Sequence, residues 1–407
     1  MIDPAVAPEK LTLMALAAVF LGFSSATQDI VIDAYRIDSA GSELQAMMSS
    51  SYIAGYRVGM IVAGAGALFL ASYFGTKSEA YSYLAWRSTY LVMALTMLIG
   101  VVTTLVIDEP KQNLSSQRVF SAFDNIRFVL LFIVAVTGFV IAFFLTKDIA
   151  AGLRVDLSSL IGSSYLAGFF LEVNRIFLAV GVAFVIARVA IRLGLVDREM
   201  VRVCYLAPLS DFFGRYGLKV SILLLTLIGF YRISDIVLGV ISNVFYQDLG
   251  FSKNEIAGVV KTFGLLMTIA GGFLGGLLSA HYGVMRILFL GALLTVLTNL
   301  LFMYQAHVGY DLTILYLVIS ADNLSAGLAS AAFVAFLSSL TNVSFTAVQY
   351  AIFSSLMTLL PKFLGGYSGT MVEAMGYSNF FLVASLMGVP VLILVWLVDQ
   401  QVSFSDQ

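Results

Sequence analysis

Residues 11–36 read Leu11-Thr-Leu-Met-Ala-Leu-Ala-Ala-Val-Phe-Leu-Gly-Phe-Ser-Ser-Ala-Thr-Gln28-Asp29-Ile-Val-Ile-Asp33-Ala-Tyr-Arg36. The run is long enough for a spanning helix at 1.5 Å per residue, yet it carries three ionisable groups. Asp29, Asp33 and Arg36 stand at i, i+4 and i+7, which places them with Ser25 on one helical face. A charge at mid-bilayer costs at least ~2.5–3.5 kcal/mol, so that face points away from lipid. Two readings follow. The face is a polar wall of a substrate path, with one carboxylate cycling between neutral and ionised states as a proton site, or Arg36 neutralises Asp33 in a structural pair.

The rest of the chain has the same character. Of 407 residues 60% are hydrophobic and 11% charged, against roughly 25% charged in soluble domains, and the mean hydropathy is +0.96. Apolar runs predict spanning helices near 11–35, 47–72, 86–107, 127–146 and 171–193, then 219–246, 254–280, 285–305, 312–339, 343–363 and 378–398, eleven in all. The most charged stretch between spans, Arg192 to Lys219, reads as an interfacial linker. With that linker in the cytoplasm and the spans alternating, eleven Lys and Arg residues fall in loops on its side and seven on the other, Lys10, Lys77, Lys111 and Arg118 counted among them. The acidic N-terminal stretch Met1 to Lys10, with one late lysine, lacks the basic start of a signal peptide and is expected on the outer side.

A net charge of −2 without a basic block excludes nucleic acid as a main partner. One cysteine, Cys204, and two histidines, His281 and His307, form no metal-site pattern. The phosphate loop, the H-E-x-x-H zinc motif and the G-x-S-x-G elbow are missing from the sequence. These readings call for no cofactor and disfavour an enzyme. Secondary transport remains, with a channel, a membrane-embedded transferase and a structural subunit as lesser options.

Further charges lie inside the predicted spans. Asp322, followed by Asn323, falls about ten residues and ~15 Å into its helix without a basic residue within a turn. It is either a coupling or substrate-contacting group or half of an interhelical pair with Lys261, Arg232 or Arg57. Arg57 is deep and has no local acid, which suits binding of an anionic group. Arg232 and Asp235, at i and i+3, either serve function or neutralise each other, and Lys261 either binds substrate or snorkels to the interface. Glu172 and Arg175 read as an interfacial pair. Glycines four apart, Gly55 with Gly59, Gly271 with Gly275 and Gly272 with Gly276, predict close helix packing.

Six segments then fall in a recognisable order. Ser24 to Arg36, Gly55-Tyr-Arg57-Val-Gly59-Met, Ala207-Pro-Leu-Ser-Asp211-Phe-Phe-Gly214-Arg215, Lys261-Thr-Phe-Gly264-Leu-Leu, Asp322-Asn323-Leu-Ser-Ala-Gly327 and Phe345-Thr-Ala-Val-Gln349-Tyr together resemble the AmpG muropeptide permeases of the major facilitator superfamily. The resemblance implies an all-α, major-facilitator-type bundle in the bacterial inner membrane that imports anhydromuropeptides with protons. It implies coupling by Asp29, Asp33 and Asp322, and substrate contacts from Arg57, Lys261, Arg232, Gln28, Asn323 and Gln349. Related permeases for acetyl-CoA or siderophores give an alternative substrate class. The superfamily has two six-helix halves, and the Ser24 to Arg36 segment resembles a fourth helix. The expected organisation is therefore a partial N-terminal half over 1–110 lacking three helices, two inserted helices and a linker over 111–218, and a six-helix C-terminal half over 219–407. A truncated, non-transporting remnant is the competing expectation.

Overall fold

The computed structural model describes residues 11–39, 41, 44–76, 82–109 and 120–402. The expected outer segment Met1–Lys10 and the basic loop residues Lys77, Lys111 and Arg118 lie outside them. Among the described residues the chain is all helix, and eleven helical runs are long and apolar enough to cross a membrane.

The helices are α1 (Leu11–Asp38), α2 (Gln45–Tyr73), α3 (Tyr83–Val106), α4 (Ala122–Leu145), α5 (Lys147–Ile161), α6 (Ser164–Arg192), α7 (Ala207–Phe230), α8 (Ile233–Asp248), α9 (Lys253–Tyr282), α10 (Val284–Val308), α11 (Leu312–Leu340), α12 (Thr346–Gly365) and α13 (Ser368–Gln401). The chain divides into two compact units, one made of 1–111 with 216–407 and one made of 112–215, the second boundary falling within α7.

In the first unit α11 is the centre. It packs on α9, α10 and α2, while α13 packs on α10 and α8, and α12 on α1 and α8. Glycine sets the closest of these approaches. A Cβ at Gly271 or Gly275 would collide with the backbone of Leu324 or Leu328, and one at Gly327 with the carbonyl oxygen of Thr268. The α9–α11 seam is thus backbone against backbone, the arrangement that small residues four apart permit. Gly276 likewise brings α9 onto Ala46 and Ser50 of α2. Gly55 and Gly59 differ, since a Cβ at either would meet nothing within 4 Å. Aromatic rings fill the space between α8, α10 and α13, where Phe245 sits edge-on to Phe381 at 4.7 Å and beside Phe302.

Three features depart from the sequence reading. The span expected at 219–246 is two helices, because α7 ends at Phe230 and α8 begins at Ile233. Tyr231 N–H still closes onto Leu227 O at 2.9 Å, and Ile236 N–H begins a new ladder on Arg232 O at 3.0 Å. Residues 147–161, unassigned in the sequence reading, form α5, whose Lys147, Asp148, Arg154 and Asp156 make it too polar to span. Finally α7 and α13 bend at Gly217 and Gly376, whose φ values of 71° and 77° are conformations glycine adopts without a Cβ clash. The predicted spans begin at 219 and 378, just past each bend.

The second unit is simpler. α4 and α6 pack together, and α5 lies against α6. Arg175 ties them at one end. It pairs with Glu172 at 2.6 Å, donates to Phe143 O at 2.5 Å and to Thr146 Oγ1 at 3.3 Å, and lies over the Phe143 ring.

Candidate functional site

The break between α7 and α8 gathers charge. Tyr231, the first residue past α7, is buried, stacks on Phe333 of α11 at 4.3 Å and donates its hydroxyl to Leu288 O of α10 at 2.9 Å. Those contacts fix the break against two neighbouring helices. Arg232 follows and reaches Asp235, one turn into α8, at 2.7 Å. Both side chains stay about a quarter exposed, 26% and 29%, so the pair is partly open rather than sealed in the core. Arg57, half-buried on α2, is near enough to feel the charges of both Arg232 and Asp235. Asp322, half-buried on α11, feels Asp235 and accepts from Thr298 Oγ1 of α10 at 3.5 Å.

Three helices, α2, α8 and α11, thus bring Arg57 and Asp322 within electrostatic range of the Arg232–Asp235 pair. Among the described residues neither Arg57 nor Asp322 forms an ion pair. The interhelical salt bridge weighed for Asp322 with Lys261, Arg232 or Arg57 is therefore absent, and its charged neighbour is another carboxylate. A second polar layer backs this cluster. Asn299 Nδ2 donates to Ser234 Oγ at 2.5 Å, Ser234 Oγ donates to Ala384 O at 2.6 Å, and Asn299 Oδ1 is buried without a hydrogen-bond partner.

Chemically the cluster offers a guanidinium able to grip an anionic group and a carboxylate without a basic partner. Both sit on helices that are otherwise apolar, where such groups are expensive unless used.

The charges of α1 divide. Gln28 and Asp29 lie on its exposed part, whereas Asp33 and Arg36 are buried. Arg36, 4% exposed, is a hub. Its Nη1 donates to Ser49 Oγ at 3.2 Å and to Gln45 Oε1 at 3.4 Å, both on α2, and its Nη2 donates to Ser338 Oγ of α11 at 2.9 Å. The rings of Tyr52 and Tyr350 flank the guanidinium at 5.6 and 5.5 Å. Asp33 is looser, its Oδ1 standing 3.6 Å from Arg36 Nη2 and itself without a hydrogen-bond partner among the described residues. Nearby, Thr346 Oγ1 of α12 donates to Asp38 at 2.8 Å. Arg36 therefore joins α1 and α2 to α11 and α12.

The remaining expected site residues make contacts within the protein or face outward. Asn323 accepts from Thr268 Oγ1 of α9 at 2.9 Å and donates to Ile319 O, which knits α11 to α9. Gln349 accepts from Asn342 N–H at 2.7 Å and so holds the turn before α12. Lys261 is exposed, on the π-helical stretch Ile256–Phe263 within α9.

The sequence reading weighs Asp235 only as the i+3 partner of Arg232, with function or mutual neutralisation left open, and does not single out Thr298, Tyr231 or Ser234. The one available signal was that Asp235 follows Arg232 by a single turn. Its place between Arg57 and Asp322 comes from packing among helices far apart in sequence.

No protein-family model matches the chain. Among curated proteins it is similar to a Rickettsia felis protein named as the transporter AmpG 4, with 26% identity over 394 residues, 97% of this chain and 74% of that one. It is also similar to the anhydromuropeptide permease of Escherichia coli, 26% identical over 397 residues, which are 97% of this chain and 62% of the permease. AmpG 1 of Rickettsia felis is 26% identical over 392 residues, 95% of this chain and 75% of that protein. The chain thus spans about three quarters of the Rickettsia relatives and less than two thirds of the Escherichia coli one. With eleven helical runs long and apolar enough to cross a membrane and this similarity to transporters, the chain is a multi-pass membrane protein that resembles the AmpG proteins.

Proposed function

We propose that this AmpG-like chain serves import of anhydromuropeptides, disaccharide-peptide fragments of the cell wall, across the bacterial inner membrane together with protons. The observation that carries the reading is the meeting of Arg57, Arg232, Asp235 and Asp322 at a helix break inside apolar helices. A muropeptide is an anion with several carboxylates, and a guanidinium binds a carboxylate through two parallel N–H donors. Arg57, which forms no ion pair among the described residues, takes that role, with Arg232 held ready by Asp235. Asp322 carries the proton. A proton moving with the substrate offsets part of its charge, and a half-buried carboxylate without a basic partner is suited to bind and release one. Broken helices that meet ligands near the middle of the bilayer are a recurring device of transporters.

Residues 1–110 would then supply a partial N-terminal half, 111–218 an inserted helix pair with its linker, and 219–407 the C-terminal half. Asn323 and Gln349 support this site by holding α11 and α12, and Asp33 through Arg36 holds α1.

The test is uptake of labelled anhydromuropeptide into transport-deficient cells that produce the chain, with and without a proton uncoupler. Uptake that the uncoupler abolishes supports the reading. Uptake indifferent to the uncoupler removes the proton from it. Membrane-inserted protein that takes up acetyl-CoA or a siderophore and no muropeptide replaces the substrate.

A further inference from the structure

A second concave site lies in the unit formed by residues 112–215, and the transport reading makes no use of it. It sits where α4 begins and α6 ends, and is lined by Asp124, Arg127, Arg192, Gly194, Asp197 and Arg198 among others. The local chain builds it. After α6 the N–H of Gly194 closes onto Ile191 O and that of Leu195 onto Ala190 O, a turn completed by the positive φ of Gly194 (72°). Val196 and Met200 then bury their side chains. The reversal sets Arg198 beside Arg192, and α4 contributes Arg127 to the same hollow.

The charges here are not balanced in pairs. Among the described residues none of Arg127, Arg192 and Arg198 forms an ion pair. The Arg127 guanidinium lies over the Phe123 ring, its Cζ 4.1 Å from the ring centroid, a contact that takes none of its N–H donors to an anion. The two acids are engaged at helix starts, Asp124 in the first turn of α4 and Asp197 as the N-cap of the short helix Arg198–Val201. Asp124 accepts from Ser121 Oγ at 2.6 Å, and Asp197 Oδ1 accepts from the Glu199 N–H at 2.7 Å. Three guanidiniums against two committed carboxylates leave the hollow positive.

Its surroundings are apolar. Ile126, Val129 and Leu130 of α4, and Val185 and Val189 of α6, are all exposed. A positive hollow at the end of two apolar helices meets two chemistries at once, an anion at its floor and hydrocarbon along its walls. A phospholipid provides both. Its phosphodiester has two non-ester oxygens that fit the planar donor fork of arginine, and its acyl chains would lie along the exposed apolar side chains. The excess positive charge favours a headgroup with no cation of its own.

We infer that the hollow at Arg127, Arg192 and Arg198 binds the phosphodiester headgroup of an anionic phospholipid.

Native mass spectrometry of the full chain in detergent tests this, with dioleoylphosphatidylglycerol and dioleoylphosphatidylcholine titrated in parallel. The phosphatidylglycerol is expected to bind more tightly. Arg192→Gln should weaken it roughly five-fold, the value of one arginine near an anionic headgroup, and the triple variant R127Q/R192Q/R198Q should lose the preference altogether. Asp124→Asn, which removes an opposing charge and keeps an acceptor for Ser121, should strengthen binding. If the triple variant does not fold, as read by its melting in detergent, Arg192→Gln and Asp124→Asn decide the matter. Equal binding of the two lipids, or a preference that survives both single changes, overturns the inference. Displacement of the lipid by inorganic phosphate at equal concentration would assign the hollow to a free anion instead.

Discussion

Two arginine sites in the same unit, one buried and one half-buried, show opposite uses of one chemistry. At Arg36 the guanidinium is enclosed, bonded to three polar side chains on two helices and held between two tyrosine rings. At Arg57 the guanidinium is half-buried, among the described residues it makes only a long contact of 3.9 Å to Met60 Sδ, and it lies within electrostatic range of the partly open Arg232–Asp235 pair. A cation whose donors are already taken by the protein works as a fastener. One whose donors are left over is available to a ligand. The difference lies in what the neighbouring helices bring. Gln45 and Ser49 of α2 and Ser338 of α11 converge on Arg36, while Arg57 is met by other charges.

Arg36→Ala breaks the comparison most severely, since it removes three hydrogen bonds and leaves Asp33 buried beside an empty site. Losing one member of a buried pair costs about 3–5 kcal/mol, so the variant is expected to melt far below the parent in detergent and to accumulate poorly. Arg57→Ala should do the reverse, leaving melting within about 1 kcal/mol of the parent while raising the substrate concentration for half-maximal uptake by roughly ten-fold or more. If Arg57→Ala melts as badly as Arg36→Ala, the two arginines do the same job and the contrast fails. Asp322→Asn sharpens it further. The fold should persist, because Thr298 can still donate to the amide oxygen, but uncoupler-sensitive uptake should vanish and exchange of substrate across the membrane should survive.

The smallest effect belongs to an exposed bond between α9 and the turn before α11, where Tyr310 donates its hydroxyl to Glu255 at 2.6 Å. That bond to a carboxylate pushes the Tyr310 phenol above its ordinary range. A raised value in the folded protein means that the contribution is complete below the ordinary phenol range and is lost as pH rises through the raised one. Tyr310→Phe should therefore alter melting only slightly, and the small difference should disappear in the alkaline limb of a pH series.

The eleven spans were legible because apolar runs of this length have few other uses, and the starts at 219 and 378 fell just beyond the bends at Gly217 and Gly376. The break at Tyr231–Arg232 was not. Phe230 to Ile233 contains no proline or glycine, and the helix stops there because Tyr231 finds partners on α10 and α11. Arg57, Arg232 and Asp322 stood out because charge inside an apolar run is costly. Their meeting with Asp235 did not, since proximity across α2, α8 and α11 leaves no mark in local spacing. The hub had half a signature. Arg36 and Asp33 read as a pair, whereas Ser49, Ser338 and Gln45 look like ordinary polar residues until the helices converge on Arg36.

The glycine seam of α9 has a genetic consequence. A collision with a side chain can be relieved by shortening that side chain, but every amino acid carries a carbonyl oxygen. A larger residue at Gly271 or Gly275 meets the backbone of Leu324 or Leu328, so a selection for second-site suppressors on α11 should return none at those positions. At Gly276 the first obstacle is the Ser50 hydroxyl, with Ala46 O behind it at 2.9 Å. There a partial suppressor at Ser50 should be recoverable. Three glycines within one helix would thus differ in whether evolution can retrace its steps, according to whether their neighbour is written in the gene or common to every peptide bond.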